Sequence, residues 1–132
     1  MAARFDLVTL NSPVPDTAAS FWAAALGLAE TEREDGDRWI VLGEPGEPGE
    51  LGGRRRIGLQ RGTVEAGTVH LDLVCEPHEF DAEVARLAGL GAHLLRPARR
   101  EPYGSIANFA DPDGNPFDLC AYRHVAAGPP AR

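Results

Sequence analysis

Short apolar stretches alternate with two amphipathic segments along this chain. Residues 5–10 (FDLVTL) are apolar or β-branched and run into an Asn-Ser-Pro sequence, which is typical of a strand that ends in a loop. Asp16 is a candidate N-cap for a helix in the next segment, whose apolar residues recur at helical spacing, and Gly27 stands where a helix C-terminus favours glycine. Residues 38–42 and 54–60 predict two further strands, separated by a loop rich in Gly, Pro and Glu.

The second half repeats this order of elements. Residues 69–75 predict a strand, and a helix follows from about His78 to Leu90, where Gly91 should end it. Leu26-Gly27 in the first half matches Leu90-Gly91 in the second. Three more strand candidates complete the pattern, at 92–95, 105–110 and 117–122.

The repeat predicts an α+β fold made of tandem βαβββ modules. We expect a single domain over 1–132, with module one at about 4–62, module two at about 68–123 and a flexible tail at 124–132. The two half-sheets should form one curved mixed sheet with the helices on its convex side. The cup between the modules is then the natural ligand site.

The alternation of strand residues predicts which side chains line this cup. Because the helices must cover the more apolar face of each strand, the other face turns inward. A polar cluster on a sheet needs hydrogen bonds, water, a ligand or a metal to offset desolvation. The predicted inward residues are Asp6, Val8 and Leu10, then Arg54, Arg56, Gly58 and Gln60, then His70, Asp72 and Val74, and finally Asp118, Cys120 and Tyr122.

Composition narrows the possible partners. The chain has 13 Lys+Arg against 20 Asp+Glu, a formal net charge of −7, which disfavours nucleic acid and anionic membrane surfaces. No apolar run approaches the ~20 residues that cross a bilayer, and the first residues lack the apolar stretch of a signal peptide. Cys75 and Cys120 lie in strand-like runs, which indicates reduced, buried thiols. We therefore expect a cytoplasmic protein.

The turn before the last predicted strand, DPDGN, is explained by backbone geometry. Asp111 can accept hydrogen bonds from its own turn, Pro112 fixes φ at the next position, and Gly114 or Asn115 takes a positive φ. The chemical interest therefore lies in Asp118, on the strand that this turn introduces.

Several motifs resemble one known family. The helix ending FWAAALG, the run VHLDLVCEPHEFDAEVARLAGLGA and the segment FADPDGNPFDL are similar to the vicinal oxygen chelate superfamily of glyoxalase, bleomycin-resistance and extradiol-dioxygenase proteins, and above all to its small glyoxalase-like members. The resemblance covers about 4–123. It implies metal ligands on the first and last strand of each module: His70 and Asp118 match two places and Asp6 falls at a third. Gly58 leaves the fourth place vacant, where Gln60, two residues on and on the same face, could substitute. It also implies a homodimer.

Two functions remain open, and the sequence leaves undecided whether the protein is an enzyme. The first is metal-free binding of a small molecule, which we favour because Asp118 is shorter than the Glu usual in the family and one ligand place is vacant. The second is a lyase, isomerase or dioxygenase that uses one divalent metal ion, with His70, Asp118 and Asp6 as ligands. No catalytic residue is assigned. The predicted contacts to the small molecule are Arg54, Arg56, Gln60, Asp72, Cys120 and Tyr122.

Overall fold

A computed structural model describes residues 5–45, 54–65 and 70–123 of the chain. The chain divides into two compact units, with the division between residues 65 and 66. Each unit contains one four-stranded mixed sheet and one main helix in the order βαβββ, so the predicted α+β fold of two βαβββ modules is confirmed. The predicted flexible tail at 124–132 lies outside the described residues. Neither helix in the described ranges has the length and apolar character needed to cross a membrane.

The first unit is built on a sheet with strand order β1-β4-β3-β2, in which β1 and β4 are parallel and the other pairs are antiparallel. Helix α1 packs against this sheet and ends at Gly27, which adopts a left-handed conformation. It begins at Pro15, which suits the first turn of a helix, and its N-cap is Val14. The predicted N-cap at Asp16 is therefore wrong, because Asp16 lies within the first turn. The elements are β1 (Val8–Ser12), α1 (Pro15–Leu26), β2 (Ala29–Glu34), β3 (Trp39–Glu44) and β4 (Arg54–Arg61).

An apolar stripe on α1 forms the core of this unit together with the sheet. Phe21 and Trp22 meet edge to face at 5.1 Å between ring centroids, and both are buried. Their removal from water stabilises the packing of the helix on the sheet. The sheet residues of this core are Ile40, Leu42, Ile57 and Leu59, each at most 3% exposed.

The register of β1 corrects one sequence prediction. Val8 lies opposite Ile57 and Leu10 lies opposite Leu59, so these two residues share the face of buried core residues. Their predicted inward orientation is therefore wrong, and Asn11 is on the other face instead. A shift of one residue exchanges the two faces of a strand. The sequence did not fix the register here because both faces of this strand are partly apolar.

The second unit has the strand order β5-β8-β7-β6, again with its first pair parallel and the others antiparallel. Helix α2 contacts β6 and β8 and buries Phe80 and Leu87. It ends at Gly91, as predicted. The elements are β5 (Leu71–Val74), a 3₁₀ turn (Pro77–Glu79), α2 (Phe80–Leu90), β6 (His93–Glu101), β7 (Gly104–Ala110) and β8 (Pro116–Tyr122).

The turn between β7 and β8 has the predicted structural role. Asp111 is fully buried and its Oδ1 accepts hydrogen bonds from the backbone N–H groups of Asp113 and Asn115, at 3.0 and 2.8 Å. Gly114 has a φ of 96°, which favours glycine. Beyond this turn, Phe117 and Leu119 are buried on one face of β8, so Asp118 between them projects from the other face.

Candidate functional site

Two aspartates face each other across the parallel β5–β8 pair. Asp72 and Asp118 are direct partners in this pair, so both carboxylates project from the same face of adjacent strands. His70, one residue before β5, lies within reach of both: its Nε2 is 3.2 Å from Asp72 Oδ1 and 3.4 Å from Asp118 Oδ2. Like charges on directly opposed strand positions are destabilising. A cation bound between the two carboxylates would offset this repulsion.

Asn108 fixes the orientation of the Asp118 carboxylate. It is the partner of Asp118 on β7, and its Nδ2 donates a hydrogen bond of 2.6 Å to Asp118 Oδ1. This bond leaves Asp118 Oδ2 as the oxygen nearer His70. The Oδ1 of Asn108 is buried and has no hydrogen-bond partner within the described ranges. An unpaired buried carbonyl costs about 1–3 kcal/mol, and such a cost is a reason to look for a functional role.

The donor set of this cluster fits a divalent cation. His70, Asp72 and Asp118 each offer one ligand-type atom, and these three atoms lie within 4.8 Å of one another. One imidazole nitrogen with carboxylate oxygens suits hard or borderline ions such as Mn²⁺, Fe²⁺ or Zn²⁺. His70 and Asp72 are about half exposed, so oxygens of a ligand can also reach the cluster. Asp72, predicted as a contact to a small molecule, is thus placed among the possible metal ligands.

Asp6, the third predicted metal ligand, lies in an ion-pair network of the first unit. Its Oδ1 is 3.3 Å from Nε of Arg55, and Nη1 of the same arginine is 3.2 Å from Glu32. To bind a cation, the Asp6 carboxylate would have to leave Arg55. A ligand role for Asp6 therefore stays a prediction.

The two arginines predicted to contact a ligand are both paired with one acid. Arg54 and Arg56 lie 3.4 and 2.9 Å from the carboxylate oxygens of Glu44. The hydrogen bond from Arg56 holds the pKa of Glu44 below its ordinary value. This carboxylate offsets one of the two guanidinium charges, so the group keeps one net positive charge. A contact of Arg54 and Arg56 to a ligand therefore stays a prediction.

The remaining predicted contacts have partners within their own unit. Gln60 donates a hydrogen bond of 3.3 Å from Nε2 to Oδ1 of Asn11. Cys120 is 8% exposed and lies between Val74 and Ile106 on neighbouring strands. Tyr122 lies near Tyr103, with ring centroids 6.5 Å apart. Cys75 follows β5, and burial raises the pKa of its thiol, which favours the protonated form.

Gly58, the vacant ligand place implied by the family resemblance, lies under an indole ring. A Cβ at this position would overlap the six-membered ring of Trp39. The space that a metal ligand on β4 would need is therefore occupied by Trp39, and the first unit cannot supply a ligand from this place.

Replacing Gly58 with alanine should displace the Trp39 ring. We expect a red shift of the fluorescence emission and a loss of about 1–3 kcal/mol in the free energy of unfolding. Trp22 is fully buried and supplies the unshifted part of the emission. Gly89→Ala is the matched control, since a Cβ there meets no atom within 4 Å. An unchanged emission spectrum in Gly58→Ala would show that the indole does not cover this position.

Comparison with known proteins places the chain in a family. A family model described as a glyoxalase-like domain matches residues 7–120, and the chain belongs to this family. This confirms the resemblance to the vicinal oxygen chelate superfamily inferred from the motifs. A comparison with curated proteins found no match.

Solved structures share the fold at low sequence identity. A glyoxalase-related enzyme from Fulvimarina pelagi is 20% identical, with 98% of this chain and 96% of that chain covered and a TM-score of 0.71. A glyoxalase/bleomycin resistance protein/dioxygenase family enzyme from Burkholderia phytofirmans is 16% identical, with 91% and 99% covered and a TM-score of 0.72. A variant of the fosfomycin resistance protein FosX from Listeria monocytogenes, complexed with Mn(II) and 1S,2S-dihydroxypropylphosphonic acid, is 20% identical, with 92% of each chain covered and a TM-score of 0.71.

Proposed function

We propose that this protein binds a small oxygen-bearing molecule through a divalent cation held by His70, Asp72 and Asp118. The observation that carries the proposal is the direct opposition of two carboxylates with an imidazole nitrogen within 3.4 Å of each. The sequence alone favoured metal-free binding, because one of the four metal-ligand places was vacant and Asp118 is shorter than the usual Glu. Asp72 adds a carboxylate to the ligand set, and this changes the preference.

Charge balance supports a cation over a protonated histidine. A protonated His70 between two carboxylates leaves one net negative charge in the cluster. A divalent cation with a neutral imidazole leaves none, and it also satisfies the oxygens of both aspartates. The three side chains would hold the ion while Asn108 holds Asp118 in place, as an outer hydrogen-bond partner orients a metal ligand.

A bound cation would polarise the oxygens of the small molecule as a Lewis acid, which suits a lyase, isomerase or dioxygenase reaction. The residues of the chain position that ion and leave one side of the cluster open to the ligand, since His70 and Asp72 are half exposed. We also propose that the protein acts in the cytoplasm, as its cysteines in strand-like runs indicate, and that it forms a homodimer, as the family resemblance implies. Sedimentation of the purified protein measures its oligomeric state.

The test is a titration of the metal-free protein with Mn²⁺, in which free Mn²⁺ is measured by electron paramagnetic resonance. The Listeria FosX structure, which holds Mn(II) on the same fold, makes this ion a reasonable probe. We expect one bound ion per chain in the wild type and a large loss of binding in His70→Gln. Binding should also weaken as the pH falls, because protons compete for the imidazole and carboxylate ligands. If Mn²⁺, Fe²⁺ and Zn²⁺ all fail to bind, the cation proposal is wrong and metal-free binding is favoured.

A further inference from the structure

One row of side chains crosses the whole second sheet. Asp72, Asp118, Asn108 and Arg96 are successive partners on β5, β8, β7 and β6. Partners on neighbouring strands share a face, so the four side chains project from the same side of the sheet. The row is acidic at one end and basic at the other.

Two register shifts in β6 flank Arg96. Leu94 lies opposite Phe109 and Arg96 lies opposite Asn108, so two steps along β6 correspond to one step along β7. The extra residue places Arg96, and not Leu95, in the row. Bulges of this kind redirect side chains and are common beside functional sites.

Within the described residues, Arg96 lacks a carboxylate partner, as do Arg100 and Arg123, whereas two other arginines of this unit have one. Of these three arginines, Arg96 is the one that stands in the row with Asp118. Arg86 pairs with Glu83 at 2.6 Å, and Arg99 pairs with Glu101 at 3.2 Å. Arg96 is exposed and forms no ion pair with any residue in the described parts of the chain. Its guanidinium is therefore available to an anion, in a chain whose net charge of −7 repels anions elsewhere.

We propose that the small molecule is an organic oxyanion and that Arg96 binds its negatively charged group. This inference rests on the proposed function, because the cation at His70, Asp72 and Asp118 would bind other oxygens of the same molecule. Adjacent strands are about 4.8 Å apart, so the backbones of Asp118 and Arg96 are separated by about 10 Å. A molecule of a few carbon atoms can lie between their side chains. A planar guanidinium binds a carboxylate, phosphate or phosphonate with two parallel hydrogen bonds.

The test compares charged and neutral probes on Mn²⁺-loaded protein by isothermal titration calorimetry. The probes are glycolate, methylphosphonate and inorganic phosphate, with ethane-1,2-diol as the neutral counterpart of glycolate. We expect the wild type to bind at least one of the anions about 10-fold or more tighter than the diol, since hydrogen bonds between charged groups are the strong ones. The ranking of the three anions identifies the preferred oxyanion.

Arg96→Gln should reduce the affinity for that anion by about 10-fold or more and leave diol binding unchanged. Arg100→Gln is the matched control: this arginine is also exposed on β6, but it lies opposite Ser105 on the other face of the sheet. Equal losses in the two variants would assign the effect to overall charge and overturn the inference. Unchanged affinity in Arg96→Gln, or no anion binding by the wild type, would overturn it as well.

Mn²⁺ binding is measured on the same three proteins, which separates this inference from the proposed function. If all three bind Mn²⁺ but Arg96→Gln does not alter anion binding, only the role of Arg96 is wrong. If the wild type binds no Mn²⁺, the proposed function is wrong. The anion titrations without metal then decide whether Arg96 binds an oxyanion by itself.

Discussion

Replacing Asp118 with alanine is expected to weaken Mn²⁺ binding by roughly 100-fold or more while the protein stays folded. The substitution removes one of the two opposed carboxylates and releases the Nδ2 of Asn108 from its hydrogen bond. The lost hydrogen bond destabilises the fold, but the relief of repulsion between Asp72 and Asp118 partly offsets this. We therefore expect the free energy of unfolding to fall by no more than about 2 kcal/mol. Electron paramagnetic resonance gives the affinity, and denaturant unfolding gives the stability.

Two further variants make this result specific. Asp118→Asn keeps the size of the side chain but removes its charge, and it should also bind Mn²⁺ weakly. Asp81→Ala changes the net charge by the same amount on an exposed helical position and should bind like the wild type. Wild-type affinity in both Asp118 variants would show that the ion lies elsewhere.

Replacing Phe117 with alanine is expected to cost about 3–5 kcal/mol in the free energy of unfolding. Its ring stacks on Phe109 with centroids 5.2 Å apart and an interplanar angle of 9°, and both side chains are fully buried. Alanine would leave a cavity directly behind the strand that carries Asp118. Denaturant unfolding followed by circular dichroism measures the loss.

Phe5→Ala is the matched control for this substitution, because Phe5 is 74% exposed and should change stability by about 0.5 kcal/mol or less. A loss below about 1 kcal/mol in Phe117→Ala would contradict the packing of the second unit. It would also contradict the assignment of buried and open faces to β8.

The fold was largely predictable because apolar residues recur with a clear periodicity in its helices and in most of its strands. The strand β2 was missed: its sequence AETERE is exposed throughout, so no alternation marks it. It is an edge strand, and charged residues at an edge prevent pairing with other chains. The strand β6 is longer than the predicted 92–95, because Pro97 and the arginines around it lack the pattern of a half-buried strand.

The candidate site was predictable only where strand alternation determines it. His70, Asp72 and Asp118 were predicted on one face, and the structure brings these three together. Asn108 and Arg96 were missed because their places in the row depend on strand register and on two bulges in β6. Alternation signals in the sequence cannot show such shifts.

The ion-pair partners of charged residues were also not predictable from the sequence. Arg54 and Arg56 were predicted to face a ligand, but both lie against Glu44 on the neighbouring strand. Asp6 was predicted as a metal ligand, and its carboxylate lies against Arg55. An ion pair between distant positions follows from the fold, so residue types and spacing alone did not identify it.

Pulsed electron paramagnetic resonance of the Mn²⁺-loaded protein tests the central claim most directly. The proposed site predicts a coupling from one directly bonded imidazole nitrogen in the wild type, because His70 is the nitrogen donor of the cluster. This coupling should disappear in His70→Gln and persist in His78→Gln, since His78 is exposed on the 3₁₀ turn. A Mn²⁺ spectrum with no nitrogen coupling, or one that His70→Gln leaves unchanged, would contradict the proposed site.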